Sequence, residues 1–246
     1  MTRRATPSAD AGLFDVPAAR GLADAVRRQT RHEGIEPGAA QARPVEPLGA
    51  GACLLRGAAS DAAPALLAAV DAVDVRSPFR HMVTPGGFTM SVAMTSCGEL
   101  GWVSDSRGYR YAPLDPDTGA AWLPMPQVLR TLAGEAAACA GFAGFVPDAC
   151  LVNRYAPGAR LSLHQDADER DFSQPIVSVS LGLPATFLFG GTTRADKALR
   201  VPLVHGDIVV WGGPARRRFH GVLPLRDGEH PLLGRQRLNL TFRKAG

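Results

Sequence analysis

From residue 88 to the C-terminus the sequence is a series of short apolar runs, each stopped within a few residues by Gly, Pro or Asp. Runs at 88–94, 150–155, 176–183, 186–189, 200–203, 207–211 and 237–243 are rich in Val, Leu and Phe. Runs of about four to eight such residues bounded by breakers read as strands. Helical periodicity is confined to two stretches. Ser60 offers an N-cap ahead of residues 65–73, where Leu66, Leu67 and Val70 share one face. Pro126 suits the first turn of a second helix over residues 125–140, with Val128, Leu129 and Leu132 as its stripe. A short strand at residues 53–55 precedes the first helix. Two helices followed by many strands predict an α+β chain with a β-sandwich or barrel core.

The 246 residues suit one domain, or one domain plus an appendage, at roughly 100–200 residues per domain. Residues 1–45 are rich in Ala, Arg, Gly and Pro, with Leu13 and Phe14 standing out as large apolar residues. Such a segment buries too little apolar surface to offset its ordering entropy. A disordered tail over 1–45, with a short helix around 21–29, and a folded domain over 46–246 are therefore expected. The net charge of +4 comes from arginine, with lysine only at Lys197 and Lys244. It fits either a slightly basic enzyme or a polyanion partner such as nucleic acid. Cys53, Cys97, Cys139 and Cys150 form no CxxC pair and have no histidine at zinc spacing. Scattered thiols suit a reducing cytosol. No apolar run approaches the ~20 residues that span a bilayer, and none follows Arg3 and Arg4 as a secretory signal requires. A cytoplasmic monomer with no membrane partner is expected.

The segment Leu161-Ser-Leu-His164-Gln-Asp166 sets a histidine and a carboxylate two residues apart. In extended chain, residues i and i+2 face the same way, so His164 and Asp166 can reach one point. A third ligand is available in Arg218-Phe-His220-Gly-Val222, where small Gly221 lets the backbone pack closely. Two histidines and one carboxylate form the facial triad of non-haem iron(II) oxygenases, leaving positions for cosubstrate and oxygen. HxD alone is a weak signal, and His164 taken alone reads better as a hydrogen-bonded core histidine.

The last run alternates strictly. Arg237, Asn239, Thr241 and Arg243 face one side, and Leu238, Leu240 and Phe242 face the other. A half-buried edge strand would show the same pattern. A rigid row of donors with an arginine at each end also suits a ligand with a carboxylate at each end, because arginine binds carboxylate bidentately. 2-Oxoglutarate is such a ligand.

With these residues the chain resembles the AlkB-type iron(II)/2-oxoglutarate-dependent dioxygenases, the oxidative DNA demethylases. Residues 153–166, Asn-Arg-Tyr-Ala-Pro-Gly-Ala-Arg-Leu-Ser-Leu-His-Gln-Asp, are similar to the family's central motif, and residues 237–243 to its C-terminal motif. Residues 82–94, with Gly101 and Trp102, resemble its nucleotide-recognition lid. The resemblance covers residues 48–246. It implies a double-stranded β-helix, or jelly-roll, core with N-terminal helices and a lid over about residues 80–115. It implies that Fe(2+) is held by His164, Asp166 and His220. It also implies that Asn153, Arg154 and Tyr155 act with Arg237, Asn239, Thr241 and Arg243 on 2-oxoglutarate. The implied reaction consumes O2 and 2-oxoglutarate, yields succinate and CO2, and hydroxylates an N-methyl group that leaves as formaldehyde. Substrates would be N-alkylated DNA bases such as 1-methyladenine and 3-methylcytosine.

A base inside a duplex cannot reach buried iron, so it must be flipped or come from a single strand. Trp102 reads as the stacking platform, with His164 on the other face, or as a core anchor. Tyr109, Arg110 and Tyr111 read as nucleotide or phosphate contacts, or, for the tyrosines, as lid packing. Asp168 reads as the carboxylate facing a cationic lesion, or as one of several solvated acids. Arg194 is a further substrate candidate. Arg216, Arg217 and Arg218 read as phosphate contacts or a solvated face. Two other functions stay open at this point: the same chemistry on RNA, tRNA or protein, and a β-barrel that binds nucleic acid without catalysis.

Overall fold

The structure, a computed structural model, describes residues 45–246. The expected tail up to residue 44 and its helix around 21–29 lie outside the described residues.

The described chain opens with strands β1 (Val45–Gly49) and β2 (Ala52–Leu55), then helix α1 (Ala63–Arg76). Strands β3 (Arg80–Val83), β4 (Thr89–Gly98), β5 (Gly101–Asp105) and β6 (Gly108–Ala112) follow, then helix α2 (Gln127–Cys139). The remainder is β7 (Ala149–Tyr155), β8 (Leu161–His164), β9 (Ile176–Gly182), β10 (Ala185–Phe189), β11 (Leu199–Leu203), β12 (Ile208–Trp211), β13 (His220–Val222) and β14 (Arg237–Arg243). The helices are thus interleaved with strands, as the strand reading at residues 53–55 and the run at 88–94 require. The first helix also starts differently. Ala62, not Ser60, takes the N-cap position without a side-chain bond, and Pro64 occupies the first turn. Pro126 is itself the N-cap of α2.

An eight-stranded sheet runs β1-β2-β12-β9-β14-β7-β4-β3, and a four-stranded sheet runs β11-β10-β13-β8. Neighbouring strands pair antiparallel in both. Two facing antiparallel sheets are the jelly-roll core that was expected. Alternation along the large sheet divides its side chains between two cores. Val177, Val179, Leu181, Ile208, Val210, Leu238, Leu240 and Phe242 join Leu66, Val70, Leu129 and Leu132 of the helices in one cluster. Ile176, Val209, Trp211, Phe187 and Phe189 fill the other cluster, which includes strands of both sheets.

This division decides what β14 is. It lies between β9 and β7 and every one of its residues is buried. The edge-strand reading therefore fails, and the polar row of Arg237, Asn239 and Thr241 faces the interior between the sheets. The expected lid is two hairpins of different kinds. β3 and β4 form one edge of the large sheet, while β5 and β6 make a separate two-stranded sheet. Glycine 101, at the start of β5, is fixed by close packing, because a Cβ there would lie 2.2 Å from Trp122.

Candidate active site and metal centre

A cavity of about 740 Å³ opens between the sheets and under the β5–β6 hairpin, within the ~300–1,000 Å³ range of small-ligand sites. Its walls carry His164, Asp166 and His220 at one place and Asn153, Tyr155, Arg237, Asn239, Thr241 and Arg243 at another.

His164 ends β8 and His220 begins β13, and the two are direct register partners across that antiparallel pair. Their rings lie 4.4 Å apart between centroids. A Cβ on Gly221 would meet the Leu161 carbonyl at 2.8 Å, so only glycine lets the strands approach this closely. Asp166 lies just past β8, and ligand atoms of the three residues all fall within 4.8 Å of one another. His164 Nε2 is 3.8 Å from one Asp166 oxygen and His220 Nε2 is 3.7 Å from the other.

The second nitrogen of each histidine is held by the backbone, as in metal-binding histidines. His164 Nδ1 donates to the Ser162 carbonyl at 2.8 Å and His220 Nδ1 to the Arg218 carbonyl at 3.1 Å. A carbonyl only accepts, so Nδ1 is the donor in each ring, and Nε2 is the nitrogen that faces Asp166 and is left for a metal. Burial pushes the His220 pKa down to about 4, with His164 adding to the shift and Asp166 opposing it. Burial alone would raise the Asp166 carboxyl, but the Arg243 guanidinium, His220 and His164 outweigh it and hold it well below its usual range. Two imidazoles and one ionised carboxylate fit iron(II).

The fit of 2-oxoglutarate rests on buried donors without partners. Arg237 is 2% exposed. Its Nη2 donates to Ser180 Oγ at 3.0 Å, while Nε and Nη1 have no hydrogen-bond partner. The Tyr155 hydroxyl nearby is also buried and unpartnered. Burial depresses the Arg237 pKa and Tyr155 pulls it back up, yet a guanidinium stays charged in proteins. A buried cation with idle donors requires an anion, and one end of a dicarboxylate supplies it. Asn153 Nδ2 donates to Asn239 Oδ1 at 3.3 Å, Thr241 Oγ1 donates to the same oxygen at 3.0 Å, and Asn239 Nδ2 is held by Ser178 Oγ at 2.8 Å. These residues form an ordered polar floor.

Three expected site residues are elsewhere. Arg154 alternates with Asn153 and Tyr155, so it emerges on the helix side of the sheet, 4.1 Å from the Phe79 ring centroid and 3.8 Å from Asp74. Arg110 spends Nη1 and Nη2 on Asp105 of its own hairpin, at 2.9 and 2.8 Å. Tyr111 donates its hydroxyl to Glu169 at 2.9 Å, which is the lid-packing reading. Trp102, Tyr109, Asp168 and Arg194 do line the cavity. Trp102 stacks on Tyr109 at 5.5 Å and donates Nε1–H to Asp168 at 2.8 Å. Of the basic run, Arg216 is internal, bonded to the Gln174 and Asp166 carbonyls, and Arg218 lies 4.0 Å over the Phe189 ring.

Sequence reasoning missed Glu169 as an internal residue. It is buried between Arg216 and Arg243, at 3.1 and 3.2 Å. The only signal was its place three residues beyond Asp166, among acids that read as solvated.

Comparison with known proteins agrees with this geometry. A family model described as the 2OG-Fe(II) oxygenase superfamily matches residues 51–243. Alpha-ketoglutarate-dependent dioxygenase AlkB of Escherichia coli (strain K12) is 58% identical over 201 residues, 82% of this chain and 93% of that protein. An AlkB homolog of Caulobacter vibrioides (strain NA1000 / CB15N) is 46% identical over 182 residues, 74% of this chain and 81% of that protein. The solved structure of OsALKBH1 superposes with a TM-score of 0.71 at 31% identity, covering 82% of this chain and 100% of that one. Jelly roll, triad and buried arginine together define an iron(II)- and 2-oxoglutarate-dependent dioxygenase, which uses O2. The chain belongs to the 2OG-Fe(II) oxygenase superfamily and, within it, to the AlkB-type dioxygenases.

Proposed function

We propose that this enzyme repairs DNA by oxidative demethylation of N-alkylated bases such as 1-methyladenine and 3-methylcytosine. The observation behind this is one cavity that joins the His164–Asp166–His220 triad, the idle Arg237 donors and a Trp102–Tyr109 stack at its rim. The names of the E. coli and C. vibrioides relatives support the dioxygenase chemistry. An Arabidopsis thaliana relative, 43% identical over 110 residues, is named a DNA N(6)-methyladenine demethylase.

When bound, iron(II) with 2-oxoglutarate and O2 supplies the hydroxylation of the N-methyl group; the cosubstrate becomes succinate and CO2. The chain's own residues position the reactants. Arg237 and Tyr155 take one carboxylate of 2-oxoglutarate, and Arg243 lies toward the other end of the β14 row beside Asp166. Trp102 offers its ring to a flipped or single-stranded base, a contact worth ~1–3 kcal/mol. Asp168 places a negative charge at the rim, which favours a cationic methylated base over its neutral, repaired form. The hydroxymethyl product then gives up its O–H proton to solvent; the C=O bond of formaldehyde forms as the C–N bond breaks, and the C–N electron pair returns to the nitrogen of the unmodified base.

No helix among the described residues is long and apolar enough to cross a membrane. The four cysteines are free thiols, which suits a reducing cytoplasm. The test is a panel of 3-methylcytosine oligonucleotides, as single-stranded DNA, duplex DNA and RNA, with iron(II), 2-oxoglutarate and ascorbate. Repair with formaldehyde release on the DNA substrates supports the assignment. Turnover confined to RNA would move it to an RNA demethylase.

A further inference from the structure

Behind the metal triad, Asp166 and Arg243 join two further buried charges, Glu169 and Arg216, that the reaction itself does not use. The Glu169 side chain is 1% exposed. One of its oxygens accepts from the Tyr111 hydroxyl at 2.9 Å and lies 3.2 Å from Arg243 Nε. Its other oxygen is 3.1 Å from Arg216 Nη2. Arg243 continues the chain, giving Nε and Nη2 to Asp166 Oδ2 at 2.9 and 2.7 Å. Arg216 closes it by donating Nη1 to the Asp166 carbonyl at 3.2 Å. Two carboxylates and two guanidinium groups thus form a neutral buried quartet, and one member is a metal ligand.

Tyr111 belongs to β6, so the quartet is tied to the hairpin that carries Trp102 and Tyr109. The hairpin meets the same segment a second time, through Trp102 Nε1–H to Asp168 at 2.8 Å. Burial raises the Tyr111 pKa well above the usual phenol value, so the hydroxyl remains a proton donor to Glu169. Asp166, Asp168 and Glu169 lie within four consecutive residues, so a shift at one is felt at the others. A metal ion on Asp166 and an anionic cosubstrate near Arg243 each draw on one partner of the Arg243–Asp166 pair. Glu169 is then the carboxylate left to hold Arg243 in place.

We propose that Glu169 is a positioning residue that couples the base-holding hairpin to the metal and cosubstrate site through the path Tyr111–Glu169–Arg243–Asp166. The proposal rests on the 2-oxoglutarate reading above. Because linkage between binding events is reciprocal, loading the site firms the hairpin and a firm hairpin favours the loaded site. The path is a contiguous set of buried charge-assisted hydrogen bonds, in which each member limits the geometry of the next.

The test is hydrogen exchange of the full chain, followed at peptides covering residues 101–112, before and after adding manganese(II) with 2-oxoglutarate. Calorimetry on the same samples reports 2-oxoglutarate binding. In the wild type, loading should slow exchange of hairpin amides by about fivefold or more. In Tyr111→Phe, which keeps the ring and the core, 2-oxoglutarate should still bind while most of that slowing disappears. Glu169→Gln should behave alike, and with iron(II) both variants should form fewer repaired bases per succinate than the wild type. Slowing that is undiminished in Tyr111→Phe would overturn the coupling while leaving the cosubstrate reading intact. A wild type that takes up no 2-oxoglutarate would overturn both.

Discussion

His164 and His220 face each other as register partners on β8 and β13, with each Nδ1 proton committed to a backbone carbonyl. The strand pairing, not a flexible loop, fixes the separation of the two ring nitrogens that could hold a metal ion. Replacing His220 by Ala should weaken iron(II) or manganese(II) binding by more than about a hundredfold, above the ~10–100-fold typical of changes to outer partners. Metal titration by calorimetry checks this, with unfolding curves to confirm that the variant folds.

Arg237 should dominate cosubstrate affinity. Arg237→Lys replaces a fork with a point charge and leaves the Tyr155 hydroxyl without its neighbour's geometry. A loss of ~2–5 kcal/mol is typical when one partner of a buried charge pair is cut back, so 2-oxoglutarate affinity should fall on the order of 100-fold. Tyr155→Phe removes one neutral hydrogen bond and should cost about 0.5–1.5 kcal/mol. Titration of the metal-loaded protein with 2-oxoglutarate measures both.

Trp102→Ala should act on the nucleic acid and not on the cosubstrate. Loss of a stacking contact of ~1–3 kcal/mol predicts a rise of about 5- to 150-fold in KM for a methylated oligonucleotide. The Kd for 2-oxoglutarate should be unchanged, because Trp102 sits at the cavity rim and Arg237 on its floor.

Acid should loosen the chain at the His205–His230 stack. The rings lie 4.5 Å apart. His205 Nδ1 accepts from the Gly182 N–H at 3.1 Å, and His230 Nδ1 accepts from the Leu232 N–H at 3.2 Å. Burial, then the neighbouring His230, lowers the His205 pKa below its ordinary value. The unfolded state therefore binds the proton more readily. The stability of the neutral pair is fully present above the unfolded pKa of about 6.5, and is lost as pH falls from there toward the lower folded value. Urea midpoints should drop between pH 7.5 and 5, and His205→Asn should show a shallower dependence.

Gly101→Ala should destabilise the fold. The added methyl would lie 2.2 Å from Trp122 Cε2, and Trp122 is itself held by its Nε1–H to the Ala112 carbonyl at 2.8 Å. Overpacking of this kind costs ~1–3 kcal/mol, which thermal unfolding will register as a lowered Tm.

Much of the site was legible because it lies on strands. The HxD spacing and the alternation of Arg237 to Arg243 follow from a period of two, which sequence displays directly. That period also misplaced nothing on β14; it failed only where a neighbour's parity was overlooked, as at Arg154 between Asn153 and Tyr155. Arg110 and Tyr111 were read from proximity in sequence, yet Arg110 pairs with Asp105 across its own hairpin, and the partner of Tyr111, Glu169, became visible only with the hairpin folded over the 166–169 segment. Arg216 looked like part of a solvated basic run, and a buried partner across the fold reverses that. Ser60 looked like a cap, but Pro64 set the first turn of α1 instead. For Tyr111 and Arg216 the deciding partner is distant in sequence, at Glu169 and in the 166–174 segment, and local pattern carries no record of it.

The most direct test of the whole account is formaldehyde release from a single-stranded 3-methylcytosine oligonucleotide, measured together with succinate. Wild-type protein with iron(II), 2-oxoglutarate and O2 should give both products, and His164→Ala and Asp166→Ala should give neither. Formaldehyde from the wild type without 2-oxoglutarate, or undiminished release from His164→Ala, would contradict it.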